Sequence, residues 1–327
     1  MHEFDYARAQ SAPQAVGQHA RTAHPAYLAG GTTLLDLVKL DVMQPDSLVD
    51  FNRLPLKAIE PLPDGRLRIG ALVTNTDLAR HPLVQAHYAV LSQALLAGAS
   101  TQLRNKATTG GNVMQRVRCS YFRDGVSPCN KREPGSGCAA IGGHNRSVHA
   151  VLGTSTQCIA THPSDMCVAM AAIGARVTVQ GAQGTREIDF ADFHLLPGDT
   201  PWKEHALDPH ELITHVTLDA PLANSRSGYL KLRDRASYQF ALASSAVIVV
   251  LDGATIRRAR IAMGGVGTKP WRVREAEAAL AGQTVSAEAF ARAARLAFQN
   301  AHPQSQNAFK VPLGQQAIVR NLRDLTA

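Results

Sequence analysis

Tyr27-Leu28-Ala29-Gly30-Gly31-Thr32-Thr33-Leu34 joins a short strand pattern, Ala26 to Leu28, to the helical spacing of Leu34, Leu37, Val38 and Leu40. Glycines there let backbone N–H groups approach a guest, threonine hydroxyls add donors, and a helix N-terminus favours negative charge. A pyrophosphate suits such a turn. The string is neither the Rossmann G-x-G-x-x-G fingerprint nor a P-loop, so nucleoside triphosphate hydrolysis is disfavoured. Arg104-Asn105-Lys106-Ala107-Thr108-Thr109-Gly110-Gly111-Asn112-Val113 repeats the chemistry. Together the loops suit a dinucleotide clamped from two sides. Locally, two tight turns facing solvent fit as well.

Around these loops the first third alternates helices and strands. A helix is expected over Ser11 to Ala20 and strands over Leu48 to Phe51 and Leu67 to Val73, with Thr74 capping the helix that follows. Pro82 to Ala99 reads as one long helix. Ser164 is placed to cap a helix from Asp165 to Ile173, ahead of strands at Arg176 to Val179 and Leu212 to Leu218. Leu222 to Gly228 reads as a linker. Beyond it, strands are expected over Tyr229 to Arg233, Phe240 to Leu251 and Arg258 to Met263, and helices over Arg272 to Ala281, Ala287 to Ala301 and Pro312 to Leu322. The fold class is α+β, with a first domain over 1–223 and a smaller α+β domain over 224–327.

Periodicity disappears from Gln115 to about His149, where prolines and glycines break any regular element. All five cysteines fall at or after this stretch, between positions 119 and 167. Four are spaced Cys119-x9-Cys129-x8-Cys138-x19-Cys158. Four thiolates on irregular backbone suit an iron-sulfur cluster, and the basic residues Arg116, Arg118, Arg123, Lys131, Arg132 and Arg146 favour deprotonated thiols. Zinc and a pair of disulfides remain alternatives on spacing, although the short paired knuckles of structural zinc are missing. Cys167, at a core-like helix position, reads as a buried structural thiol. His144 and His149 flank the insertion, and read as structural histidines before ligands.

Composition excludes several classes. No apolar run is long enough to span a bilayer, and Met1-His2-Glu3-Phe4-Asp5 has neither the basic nor the apolar region of an export signal. The net charge of +8 comes from scattered basic residues with 5% aromatics, so nucleic-acid binding is disfavoured and an acidic partner subunit is the more economical reading.

Five motifs in order, the two loops, His162-Pro163-Ser164-Asp165-Met166, Tyr229-Leu230-Lys231 and Ile261-Ala262-Met263-Gly264-Gly265-Val266-Gly267, resemble the FAD-binding subunits of molybdenum hydroxylases, the xanthine dehydrogenase and aldehyde oxidoreductase family. The resemblance covers essentially the whole chain. It implies a two-part, vanillyl-alcohol-oxidase-like FAD-binding domain followed by the family's C-terminal domain. It implies that Ala29, Gly30, Gly31, Thr32, Thr33 and Leu34 hold the FAD pyrophosphate and that Thr108, Thr109, Gly110 and Asn112 complete the clamp. Asp165 then accepts from sugar or ribityl hydroxyls, Lys231 lies near the isoalloxazine, and Ile213 packs beside the cofactor.

The insertion over about 115–158 resembles that of an aldehyde oxidoreductase subset whose FAD subunit carries a 4Fe-4S cluster, which implies Cys119, Cys129, Cys138 and Cys158 as ligands. The implied function is electron transfer. A molybdenum-cofactor subunit oxidises an aldehyde, a 2Fe-2S subunit relays electrons, and this chain passes them to an external acceptor in a heterotrimer. Periplasmic residence by co-export with a signal-bearing partner is the expectation, with the cytoplasm as the alternative. No residue reads as a catalytic acid, base or nucleophile. The rivals are a free-standing flavin oxidase and a zinc- or disulfide-stapled assembly subunit.

Overall fold

The computed structural model describes residues 2–327 and begins with a small parallel sheet of β1 (Asp5–Arg8), β2 (Pro25–Leu28) and β3 (Ser47–Asp50), in the order β1-β3-β2. Parallel pairing needs crossover connections, and the helices Ala12–His19 and Leu34–Lys39 lie on them. Ser11 caps the first by accepting from the Gln14 N–H at 3.2 Å.

An antiparallel sheet follows, with β4 (Ile59–Pro61), β5 (Leu67–Gly70), β6 (Ala175–Gly181), β7 (Gly184–Asp189) and β8 (Leu212–Leu218) in the order β4-β5-β8-β6-β7. Ile69, Val177, Val179 and Val216 of this sheet share one core with the helices Ala89–Ala97 and Asp165–Ile173. The third sheet is also antiparallel, β12-β11-β10-β9, made of β9 (Ser225–Leu232), β10 (Ala243–Asp252), β11 (Thr255–Gly264) and β12 (Trp271–Arg272). Successive side chains of a strand point to opposite faces. In β10, Ala246 and Ile248 join the first core, while Val247 and Val249 join a second core with the helices Arg274–Leu280, Ala287–Ala297 and Lys310–Thr326. Burial on both faces explains why this stretch reads as an apolar run without alternation. The two halves of the chain meet on this strand.

Two expectations are corrected, and three strands stand where none was expected. The single helix expected over Pro82 to Ala99 breaks at Tyr88 (φ −134°, ψ 47°) into Pro82–His87 and Ala89–Ala97. The Tyr88 ring is buried and its hydroxyl donates to the Asp219 carbonyl at 2.9 Å, a tertiary contact that helical periodicity cannot register. The linker expected over Leu222 to Gly228 is shorter, because Ser225 to Gly228 pair with Val250 to Val247 as the start of β9. Ladder hydrogen bonds override turn-like composition there. Finally, β1, β4 and β7 lie at sheet edges, largely exposed and without apolar alternation, so the sequence does not announce them.

The cysteine-bearing segment holds one helical turn, Ser120–Arg123, before the helix at Asp165. Its exit is clamped to the C-terminal half. Val151 and Leu152 donate to the Val266 carbonyl at 2.9 and 3.0 Å, and Lys310 Nζ donates to the Ser147 and Gly265 carbonyls at 2.7 and 2.5 Å. Lys310 is fully buried, and burial brings its ammonium down from 10.5 to about 7. Between those values the unfolded chain binds a proton that the folded chain lacks, so stability rises with pH across the window, by up to about 1.4 kcal/mol per unit. Lys310→Met is expected to flatten that slope in denaturant melts taken from about pH 7 to about pH 10.

Candidate functional site

The two glycine loops touch. A Cβ on Gly30 would lie 2.1 Å from the Lys106 carbonyl oxygen, so the approach requires glycine, and Gly31 sits at φ +75°. Beside them opens a cleft of about 680 Å³ whose walls include Thr32, Thr33, Gly111, Asn112, Asp165 and Lys231. The structure therefore gathers Thr32, Thr33, Asn112, Asp165 and Lys231 around one space. Ala29, Gly30, Gly31 and Leu34 form the remainder of the first loop and the start of its helix.

Other expected residues are engaged elsewhere. Thr108 caps the helix Thr109–Val113 by accepting from the Gly111 N–H at 3.3 Å. Thr109 and Gly110 are buried and donate their N–H groups to the Val73 and Ala71 carbonyls at 2.8 and 2.9 Å, which pins the loop just beyond β5. Ile213 lies in the first core opposite Val179 of β6 and does not line the cleft.

Asp165 follows the cap residue Ser164, whose hydroxyl accepts from the Cys167 N–H at 3.1 Å and donates to Asn112 Oδ1 at 2.7 Å. One Asp165 carboxylate oxygen accepts from the Tyr229 hydroxyl at 2.6 Å, the other from Lys231 Nζ at 2.8 Å. Lys231 is nearly inaccessible and also donates to the Ala97 carbonyl at 3.2 Å, so it is a buried, neutralised cation and not a solvated strand lysine. Burial and the adjacent carboxylate push the Tyr229 phenol well up, which keeps it a donor. Sequence reasoning gave Tyr229 no role, although the strand period of two places it on the Lys231 face.

Arg118 and Arg123 also line the cleft. They share one carboxylate, Asp36 Oδ2, at 3.4 and 2.7 Å, while Arg118 Nε and Arg123 Nη1 are buried without an acceptor. Two guanidinium groups on one carboxylate leave positive charge that suits an anionic guest.

Cys119, Cys129, Cys138 and Cys158 line a second, small cavity together with Val117, Phe122, Ile159, Asn130 and Lys131. All four are free thiols, and no three of their sulfurs lie within 4.8 Å of one another. The expectation that surrounding cations ionise these thiols is corrected. Arg118 and Arg123 turn to the cleft, Arg116 pairs with Glu204, and Arg132 bonds to the Tyr121 and Phe122 carbonyls. Burial pushes Cys119 up to about 12, and Cys158 is raised despite Lys131 nearby. A bound metal would be needed to hold Cys119 and Cys158 as thiolates.

Cys167 is fully buried in the first core, apart from the other four, beside His162 and His194. Those three side chains bring ligand atoms within 4.8 Å of one another. Their hydrogen bonds disfavour a cation. His194 Nε2 donates to the Val113 carbonyl at 3.1 Å, which leaves Nδ1 as acceptor, whereas His162 Nδ1 accepts from the Ser164 N–H at 3.4 Å, which leaves the proton on Nε2. A metal needs a lone pair from both rings; here one ring presents a donor and the other an acceptor.

An α+β fold in two parts, with a large cleft where two glycine loops meet, defines a dinucleotide-cofactor-binding protein. Residues 2–221 match the family model for the FAD binding domain in molybdopterin dehydrogenase, and residues 228–325 match the CO dehydrogenase flavoprotein C-terminal domain. The chain belongs to this family of FAD-binding subunits of molybdopterin dehydrogenases. It is 50% identical over its full length to the Aldehyde oxidoreductase FAD-binding subunit PaoB of Escherichia coli, covering 99% of that protein. It is 26% identical to the Carbon monoxide dehydrogenase medium chain of Hydrogenophaga pseudoflava, covering 98% of this chain and 96% of the relative. A solved carbon monoxide dehydrogenase from that organism superimposes with a TM-score of 0.78 at 26% identity, over 99% of this chain and 97% of the other. The chain is accordingly an oxidoreductase subunit. Among the described residues no helix is long and apolar enough to cross a membrane.

Proposed function

We propose that this chain is the FAD- and 4Fe-4S-containing electron-transfer subunit of a molybdenum-dependent aldehyde oxidoreductase. The observation that carries the proposal is full-length similarity, at 50% identity, to a protein named as the FAD subunit of an aldehyde oxidoreductase. Partners with a molybdenum cofactor and with 2Fe-2S centres then oxidise the aldehyde and deliver its electrons, and an external acceptor removes them. FAD supplies the exchange between one-electron and two-electron transfer.

The residues of the cleft fit that cofactor. Thr32, Thr33 and the Gly30-Gly31 backbone offer donors for a pyrophosphate, and Asn112 positions Ser164 at the start of the Asp165 helix. Asp165, held by Tyr229 and Lys231, retains lone pairs for ribityl hydroxyls. Thr108, Thr109 and Gly110 shape the second loop from below. Arg118 and Arg123 supply the net positive charge that an anionic cofactor needs.

We read the four-cysteine site as that of a cluster ahead of its rivals. Four sulfurs around a single zinc ion at about 2.3 Å each stand roughly 3.8 Å apart, closer than any three of these sulfurs allow. Disulfides need sulfurs about 2.05 Å apart, and all four thiols are free. A multi-iron core would take the same four thiolates without requiring them to meet at one metal ion.

The test is an absorption spectrum of the anaerobically purified chain with iron, sulfide and zinc analysis. Flavin together with about four irons and four sulfides is the expected result for a 4Fe-4S protein. Zinc in place of iron sinks the cluster, and rapid aldehyde-dependent flavin reduction by the isolated chain sinks the subunit reading in favour of a free-standing oxidase. Gly30→Ala forces the loops apart, at a cost of about 1–3 kcal/mol. Its flavin-to-protein ratio after gel filtration is expected to fall at least about fivefold where that cost falls on the flavin-binding conformation, since each 1.4 kcal/mol is about tenfold in affinity.

A further inference from the structure

We propose that His149 is a positioning residue that donates a hydrogen bond to the sulfur of Cys119 and thereby raises the reduction potential of the group held there. The inference rests on the cluster reading above and goes beyond ligation. His149 Nε2 lies 3.3 Å from Cys119 Sγ, within reach of an N–H···S bond, and the residue is 2% exposed. Among the described residues, no other of the four cysteine sulfurs has a side-chain hydrogen-bond partner.

A metal-bound thiolate has no proton, so in this contact the proton sits on Nε2 and Nδ1 is left as a lone pair. Nδ1 is buried and has no partner. An unmet acceptor in the interior is costly. The fold tolerates it because the backbone on both sides of the ring is fixed. His149 bridges to Ala160, Ala150 donates to the Ile159 carbonyl at 2.7 Å, and Asn307 Nδ2 donates to the His149 and Ala150 carbonyls at 3.4 and 3.1 Å. The ring is thus carried on the segment that pairs with the backbone next to Cys158.

A cluster held by these thiolates would take up one electron on reduction. A donor at a ligand sulfur draws charge from that thiolate and stabilises the more negative, reduced state, so the potential rises. Backbone N–H groups of Phe122 and Tyr121 also act on this sulfur, and the one cation in the cavity wall, Lys131, is engaged by Glu204 at 3.1 Å and the Pro201 carbonyl at 2.7 Å.

The experiment is an EPR-monitored potentiometric titration of the anaerobically purified full chain, comparing the parent protein with His149→Phe and His149→Gln. Phe removes the donor, while the Gln amide keeps one. Expected are parental iron and sulfide contents in both variants, a more negative potential in His149→Phe, and a smaller displacement in His149→Gln. A tenfold change in the reduced-to-oxidised ratio at fixed ambient potential corresponds to about 59 mV for a one-electron couple. An unchanged potential in His149→Phe overturns the proposal. So does equal displacement in both variants, or loss of iron from His149→Phe with retention in His149→Gln, which would make the ring a scaffold. Iron-free parent protein overturns the cluster reading itself, an outcome that separates the two failures.

Discussion

On the proposed cluster reading, Cys129→Ser is expected to strip the chain of its iron while leaving flavin and fold in place. The serine is nearly the same size, and the backbone here is held independently of the sulfur. The Cys129 N–H donates to Ser136 Oγ at 2.9 Å, and residue 129 bridges to Cys138. What would be lost is one of the four proposed thiolate ligands, and a hydroxyl binds iron far less well than a thiolate. Cys167→Ser makes the contrast, because that thiol is buried in the first core apart from the other four. Iron and sulfide per chain should fall close to zero in the first variant and stay at the parental level in the second. Full iron in Cys129→Ser, or iron lost from Cys167→Ser with flavin retained, rejects the ligand set.

The second large effect is expected at Lys231. Its ammonium and the Asp165 carboxylate are both nearly inaccessible and lie 2.8 Å apart. Lys231→Met leaves Asp165 buried with only the Tyr229 hydroxyl as partner, and breaking a buried pair from one side costs about 3–5 kcal/mol. The double variant with Asp165→Asn removes the stranded charge and is expected to regain much of that stability. Urea melts of the two single variants and the double measure the coupling directly. A loss below about 1 kcal/mol in Lys231→Met would place the pair among solvent-screened ion pairs. Flavin content should fall in both single variants, because the pair forms part of the cleft wall.

Much of the fold was legible because its signals are local. Leu212–Leu218 and the helix Asp165–Ile173 stand as expected, since an apolar strand and a serine cap each announce themselves within a few residues. Tyr88, which ends one helix and begins another, was not legible, because its partner is Asp219, far along the chain. Nor were β1, β4 and β7, whose pairing is decided by neighbours in the sheet.

The same division runs through the sites. Sequence alone put two glycine loops forward as candidates for the cofactor, grouped four cysteines and placed Cys167 at a core-like helix position, because residue type, spacing and helical phase are properties of the chain. Only the tertiary structure decided that Gly30 must be glycine to clear the Lys106 carbonyl, that Lys231 is neutralised by Asp165, and that Arg118 and Arg123 face the cleft and not the thiols. Those facts depend on distances between segments remote in sequence, and burial, which sets whether a charge is solvated or must be paired, exists only once the segments have met.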